Sequence, residues 1–195
     1  MNTFESIKTH IDSVIKLEDK EWSSLIDIIE VMSIRKNEFF LSKNQICDSI
    51  AYLNKGTLIY YQTLDNGNDI TTDFAFEGDW VTNNHSRLNN IPSHLNIKAI
   101  ENSDLLVIKQ KDLLDLYDRI PKLEKLGRLL MEHAYVKLVQ LSIDLQTLSA
   151  TDRYLKLLGD YPEIINKVPL YHIANYLGIA PKSLSRIRNA IFNGE

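Results

Sequence analysis

One cysteine, Cys47, stands in a chain of 195 residues, so an intrachain disulfide and a four-thiolate zinc or iron–sulfur site are both excluded. No apolar run approaches the roughly 20 residues that span a bilayer. The N-terminus, MNTFESIKTHIDSVIKLEDKEW, alternates charged and apolar residues where a signal peptide needs an unbroken apolar stretch. A dominant charge is missing too. Lys and Arg number 22 against 26 Asp and Glu, a net of -4, so any contact with nucleic acid must come from a local patch. Catalytic signatures are absent: no glycine-rich phosphate loop, no His-Glu-x-x-His, no nucleophile elbow. Acid pairs such as Asp112 with Asp115, or Glu101 with Asp104, fall near expected helix starts or turns, where solvated charge accounts for them. What remains is a soluble non-enzyme of a reducing compartment, most simply the cytoplasm, with neither metal nor cofactor expected.

What is present is a 44% apolar composition, enough for a packed core, and an uneven spread of charge. Residues 1–150 hold 16 basic and 22 acidic side chains, and residues 151–195 hold 6 and 4, so the two parts carry -6 and +2. Periodicity divides the chain further. To about Ile29 the spacing is helical: Ile7, Ile11, Val14 and Ile15, then Trp22, Leu25, Ile26 and Ile29. From Val31 to Ile108 short β-branched and aromatic runs alternate with turn residues. Thr57–Leu64 and Ile70–Phe76 flank Asp65-Asn66-Gly67-Asn68, a hairpin in which Asn66 and Gly67 are both expected at positive φ. Lys55-Gly56 is a second expected turn. Ile97–Ile100 and Leu105–Ile108 read as another strand pair, and so many short antiparallel strands suggest a sandwich or barrel.

After Pro121 the pattern is helical to Leu148. Gly127, Met131, Ala134, Leu138, Leu141, Leu145 and Leu148 recur in steps of four and three, the seam of two helices packed side by side. Leu123, Leu126 and Leu130 lie on an adjoining stripe suited to packing on the β domain. Ser149-Ala150-Thr151-Asp152 resembles a capping box, so a new helix starts there and Ser149–Thr151 forms a hinge.

Residues 169–190 carry the strongest motif. Ile173, Ala174 and Leu177 give a short helix an apolar face, Gly178 stops it, Ile179 is the buried turn residue and Pro181 opens a second helix. Leu184, Ile187 and Ile191 of that helix face back onto the first, the pattern of a helix-turn-helix. Its outward stripe is then Lys182, Ser183, Ser185, Arg186 and Asn189, with Arg188 to the side. Arg pairs bidentately with guanine, Ser and Asn bond base edges or phosphates, and Lys meets phosphate. Two such helices held by a seam reach successive major grooves about 34 Å apart, which implies a homodimer on roughly palindromic double-stranded DNA.

Together these features resemble the Crp/Fnr family of transcription regulators over nearly the whole chain. The most specific stretches are Arg153-Tyr154-Leu155, Tyr161-Pro162, Val168-Pro169, Ile173-Ala174, Tyr176-Leu177-Gly178-Ile179 and Leu184-Ser185-Arg186-Ile187. The resemblance implies an α+β fold: a cyclic-nucleotide-binding-like β jelly roll as effector domain (1–120), a dimerisation helix (121–148) with Met131, Ala134, Leu138, Leu141 and Leu145 in its seam, and a helix-turn-helix DNA-binding domain (149–195). It also implies that the position of Arg186 contacts bases. Ala180 departs from the family, in which Ser or Thr caps the recognition helix, and no wing hairpin is expected after that helix.

The family's phosphate cassette places a Gly-Glu pair and a following Arg around the cyclic phosphate. The matching residues are Gly78, Asp79 and Trp80, then Ser93 and His94, so the effector pocket reads as degenerate. Ser93 replaces the arginine, a neutral His94 is a poor substitute, and Trp80 is expected to crowd the pocket floor. The cAMP pose is therefore disfavoured. Haem would need an axial histidine, and His10, His85, His94, His133 and His172 lack diagnostic neighbours. Cys47 reads as an inert thiol. The expected function is sequence-specific transcription control without cAMP, and the alternative is a small-molecule-binding module whose C-terminal helices dock a protein partner. RNA polymerase and an unknown small-molecule effector stay open as further partners.

Overall fold

The computed structural model describes residues 3–193. Two helices open the chain, α1 (Glu5–Val14) and α2 (Asp19–Ile26), the second on a capping box between Glu18 and Glu21. The helical periodicity read as running to Ile29 thus belongs to two helices, and Ile29 already opens a strand. The strands are β1 (Ile29–Ile34), β2 (Phe39–Leu41), β3 (Ser49–Lys55), β4 (Leu58–Thr63), β5 (Asp69–Ala75), β6 (Trp80–Val81), β7 (Asn96–Ala99) and β8 (Ser103–Lys109), with a short helix α3 (Asn84–Asn89) between β6 and β7. Helices follow to the end: α4 (Gln110–Arg119), α5 (Pro121–Thr147), α6 (Ala150–Asp160), α7 (Ile164–Lys167), α8 (Leu170–Tyr176) and α9 (Pro181–Asn193).

The strands form two four-stranded sheets, ordered β1-β8-β3-β6 and β2-β7-β4-β5. The result is the antiparallel jelly roll expected of a cyclic-nucleotide-binding-like domain, followed by a long helix and C-terminal helices. Only β4 and β5 are neighbours both along the chain and within a sheet. The expected pairing of 97–100 with 105–108 is therefore incorrect. β7 joins β2 while β8 lies between β1 and β3, with Ala51 opposite Val107 in the ladder. The chain changes sheet at this corner, and short spacing alone cannot distinguish a corner from a hairpin. The β4–β5 turn also differs from expectation. Gly67 has φ +81, whereas Asn66 is not at positive φ, and Gly67 N–H donates to Leu64 C=O. This is a four-residue turn with a glycine bulge rather than two left-handed residues.

Strand alternation gives the sheet β1-β8-β3-β6 two buried faces. Leu105 and Val107 of β8, Ala51 and Leu53 of β3 and Val81 of β6 point into the sandwich with Leu41, Leu58 and Ile97. Their neighbours Leu106, Ile108 and Tyr52 pack on the outer face with Ile7, Ile11, Leu25, Leu116, Leu123 and Leu126. Leu123 and Leu126 thus cover the β domain, as their stripe suggested. A Cβ on Gly127 would collide with the Tyr117 hydroxyl, so this glycine admits a tyrosine of α4 rather than extending the seam.

By compactness the chain divides in two. One unit holds the residues up to Tyr60 with Phe74–Glu132, and the other holds Tyr61–Asp73 with the residues from His133 on. No helix among the described residues is long and apolar enough to cross a membrane.

Candidate functional site

The helix pair α8–α9 is built around a left-handed glycine. Gly178 has φ +67, its N–H donates to Asn175 C=O, and the Ile179 N–H donates to Ala174 C=O, both at 3.0 Å. This Schellman arrangement satisfies the last carbonyls of α8 and turns the chain sharply into α9. Ile173 and Ala174 are fully buried and Leu177 and Leu184 nearly so, while Ile179 and Ile187 are half-buried and Ile191 is exposed. Pro181 fixes the first turn of α9. Ala180 supplies only its carbonyl, which receives the Ser183 and Leu184 N–H groups.

Opposite Leu184, α9 exposes Lys182, Ser183, Ser185, Arg186 and Asn189. Lys182, Ser185, Arg186 and Asn189 follow i, i+3, i+4 and i+7 spacing, so they share one face. Ser185 Oγ donates to Pro181 C=O at 3.1 Å, which leaves its lone pairs free to accept. No acid pairs with Lys182 or Arg186 among the described residues. Arg188 is half-buried, and its Nε is enclosed without a hydrogen-bond partner.

The helix pair is tied to its surroundings by contacts of which local spacing revealed only the Ser149 cap. Ser149 caps α6, with its Oγ accepting the Asp152 N–H. Arg153 donates to Leu148 C=O at the end of α5 (2.7 Å) and to Leu177 C=O at the end of α8 (3.0 Å), bridging two helix ends. Asp69 C=O, at the tip of the β4–β5 hairpin, accepts from Tyr171 Oη (3.0 Å) and Asn175 Nδ2 (2.7 Å). Thr71 Oγ1 lies 2.8 Å from His172 Nδ1. Asp73 of the same hairpin pairs with Lys137 of α5 at 3.3 Å. Burial works against the Lys137 charge, but Asp73 and the nearby phenols outweigh it and hold its pKa up. Tyr176 is pushed up to about 12 by burial and by Asp73. On α5, Asp144 is buried and accepts from Gln140 and Lys156. Those hydrogen bonds, Lys156 first, hold its carboxyl below the usual range.

Along α5, residues 131–140 are all exposed. Met131 and Leu138 are 41% and 64% accessible and Leu145 45%, with Ala134 exposed and Leu141 half-buried. These five line one side of the helix, so a row of large apolar side chains faces outward.

The degenerate pocket residues separate into two groups. Gly78 adopts φ +96, and Asp79 Oδ2 accepts the Phe76 N–H, so the acid is bonded within its own turn. Trp80 does not crowd the sandwich interior, contrary to expectation. In β6, Val81 points inward and Trp80 to the other face, where its Nε1 donates to His10 Nε2 and its ring packs edge-on against Tyr52. Ser93 is buried at 1% exposure. Its Oγ accepts from Asn83 Nδ2 and donates to Leu95 C=O, and Asn83 in turn caps α3. His94 is exposed, with its ring edge-on to His85. Cys47 is buried beside Ser49 C=O.

Residues 31–120 match the cyclic nucleotide-binding domain family. No curated protein sequence matches the chain significantly. Among solved structures, FixK2 from Bradyrhizobium japonicum is 17% identical, with 86% of each chain covered and a TM-score of 0.73. A regulator assigned to the Crp/Fnr family from Eubacterium rectale is 19% identical, covering all of this chain and 89% of its own, with a TM-score of 0.70. The catabolite activator protein of Thermus thermophilus is 18% identical over 91% of this chain and 85% of its own, with a TM-score of 0.53.

Proposed function

Taking the chain as a protein of the Crp/Fnr fold with a cyclic nucleotide-binding domain over residues 31–120, we propose that it is a sequence-specific DNA-binding transcription regulator. It acts as a homodimer on a roughly palindromic operator and does so without cAMP. One observation carries this reading: the face of α9 that exposes Lys182, Ser185, Arg186 and Asn189 has two cations free of any acid among the described residues. Cations that no protein carboxylate neutralises are available to phosphates and guanine edges. The basic balance of residues 151–195 in an acidic chain favours the same end of the molecule.

Dimerisation is proposed through Met131, Ala134, Leu138, Leu141 and Leu145. An apolar row this exposed gains stability only when covered, and a second copy offers the same seven-residue spacing. Symmetry then presents two α9 helices to successive major grooves. A turn at Ser149–Thr151 re-aims both, and Arg153, which links the ends of α5 and α8, is the side chain such a motion must carry with it.

The cassette residues do not suit a cyclic phosphate. The position of the family's arginine is held by Ser93, whose hydroxyl is spent on Asn83 and Leu95. A phosphate there would lack its charge-assisted partner. In a thermal-shift measurement, neither cAMP nor cGMP should raise the midpoint.

The test of DNA recognition is fluorescence anisotropy with the promoter of the chain's own operon against random duplex. Arg186→Ala should lose about 1–3 kcal/mol of discrimination between them, and Lys182→Ala should weaken both alike. An Arg186→Ala protein that keeps the parent's discrimination removes Arg186 from the base-reading role.

A further inference from the structure

A cleft of about 400 Å³ opens between the C-terminal half of α5, α6 and α8, beside the hinge. This is within the usual range of small-ligand sites, about 300–1,000 Å³. Its floor is apolar: Leu157 and Leu177, with Leu141 and Leu145, which the proposed seam would also make partner contacts. Its polar wall is rich in donors. Lys137 and Gln140 come from α5, Arg153 and Lys156 from α6, and the phenols of Tyr161 and Tyr176 complete it.

The acceptors on that wall are few and largely committed. Asp144 already receives Gln140 and Lys156, and Asp160 is exposed to water. The charges match unevenly. Lys137 has Asp73 and Lys156 has Asp144, whereas Arg153 meets only the Leu148 and Leu177 carbonyls and no acid among the described residues. Tyr176, with its pKa pushed up to about 12, remains a donor across the physiological range. An apolar floor under a donor-rich wall with one unmatched cation favours a ligand that is itself apolar at one end and an anionic acceptor at the other.

We propose that this cleft is a binding site for a small amphipathic carboxylate, with its apolar body on the leucines and its carboxylate toward Arg153 and Lys156. The site lies outside the nucleotide cassette and shares no residue with it. Because the cleft walls are α5, α6 and α8, an occupant bears on the angle between the dimerisation helix and the helix pair. That consequence rests on the DNA-binding reading, whereas binding itself does not.

The experiment uses the full chain without DNA. Isothermal titration with 2-naphthoate should show saturable binding of one molecule per chain, and the neutral isostere 2-naphthamide should bind about tenfold more weakly or worse. Arg153→Gln should weaken naphthoate by a similar factor, while Lys36→Ala, in the turn before β2 and outside the cleft lining, should leave it unchanged. Since Arg153 also joins two helix ends, the parent chain is examined in parallel by photo-crosslinking with a diazirine-bearing benzoate, whose label should map to peptides within residues 137–177. Absence of saturable heat up to about 10 mM, equal binding of acid and amide, or label concentrated outside that stretch would overturn the proposal. None of these results alters whether α9 reads DNA, and loss of DNA binding would not alter them.

Discussion

His10 is an ionisable side chain half-buried between Tyr52 and Trp80, accepting the Trp80 indole N–H on Nε2. Burial lowers its pKa, with Asp79 opposing. The unfolded chain therefore takes up the proton first as pH falls. The stability this site contributes is whole above about pH 6.5 and is lost as pH drops from there through the lower folded value. His10→Gln keeps an acceptor for the indole, so its melting temperature between pH 7 and 5 should fall less steeply than the parent's. A second prediction concerns Gly178. A Cβ there would meet only Leu145 Cδ2, at 3.9 Å, so Gly178→Ala suffers from its φ of +67 and not from a clash. It should destabilise the chain by about 1–2 kcal/mol in a denaturant titration. At this scale helical spacing separated buried Leu184 from exposed Lys182 and Arg186 on α9, but it misplaced Ile191, which is exposed rather than packed on α8. The sequence was a poor guide to Trp80, because the face a strand residue takes depends on where the strand starts, and the two-residue β6 offers no periodicity from which to read it.

Among the elements, α5 carries the clearest expectation. Leu138 is the most exposed of the seam's leucines, at 64%. Leu138→Glu places a charge where two apolar rows should meet and should raise the dimer dissociation constant at least about a hundredfold. Sedimentation velocity at micromolar concentration checks this, with Val136→Glu, on another side of the helix, as the comparison. The long helices, their caps at Ser149 and Gly178, and most strands were legible because each is written in local residues. Which strands pair was not. β7 and β8 adjoin in the chain yet belong to different sheets, and only the packing of two faces of β8 against two separate cores decides it. Likewise Asp69, Thr71 and Asp73 look like ordinary hairpin polar residues, and their partners Asn175, His172 and Lys137 lie 106, 101 and 64 residues away in no readable pattern.

For the molecule as a whole, an overall charge of -4 requires that the proposed attraction to DNA be local and survive repulsion from the remainder of the surface. If the dimer neutralises roughly six phosphates, affinity should fall about a thousandfold between 50 and 200 mM salt. Anisotropy across a salt series reads this directly. A flat response points to an apolar protein partner for α8 and α9 instead.

The boundary between the two compact units is crossed by β4, by β5 and by α5. Three separate covalent passages thus run between them. Excising the chain from His133 onward as an autonomous fragment would strip away the peptide Tyr61–Asp73, whose carbonyl at Asp69 holds Tyr171 and Asn175. Such an excised fragment would enter solution with that docking edge bare. A graft of these C-terminal helices onto another protein should therefore import the hairpin tip along with them.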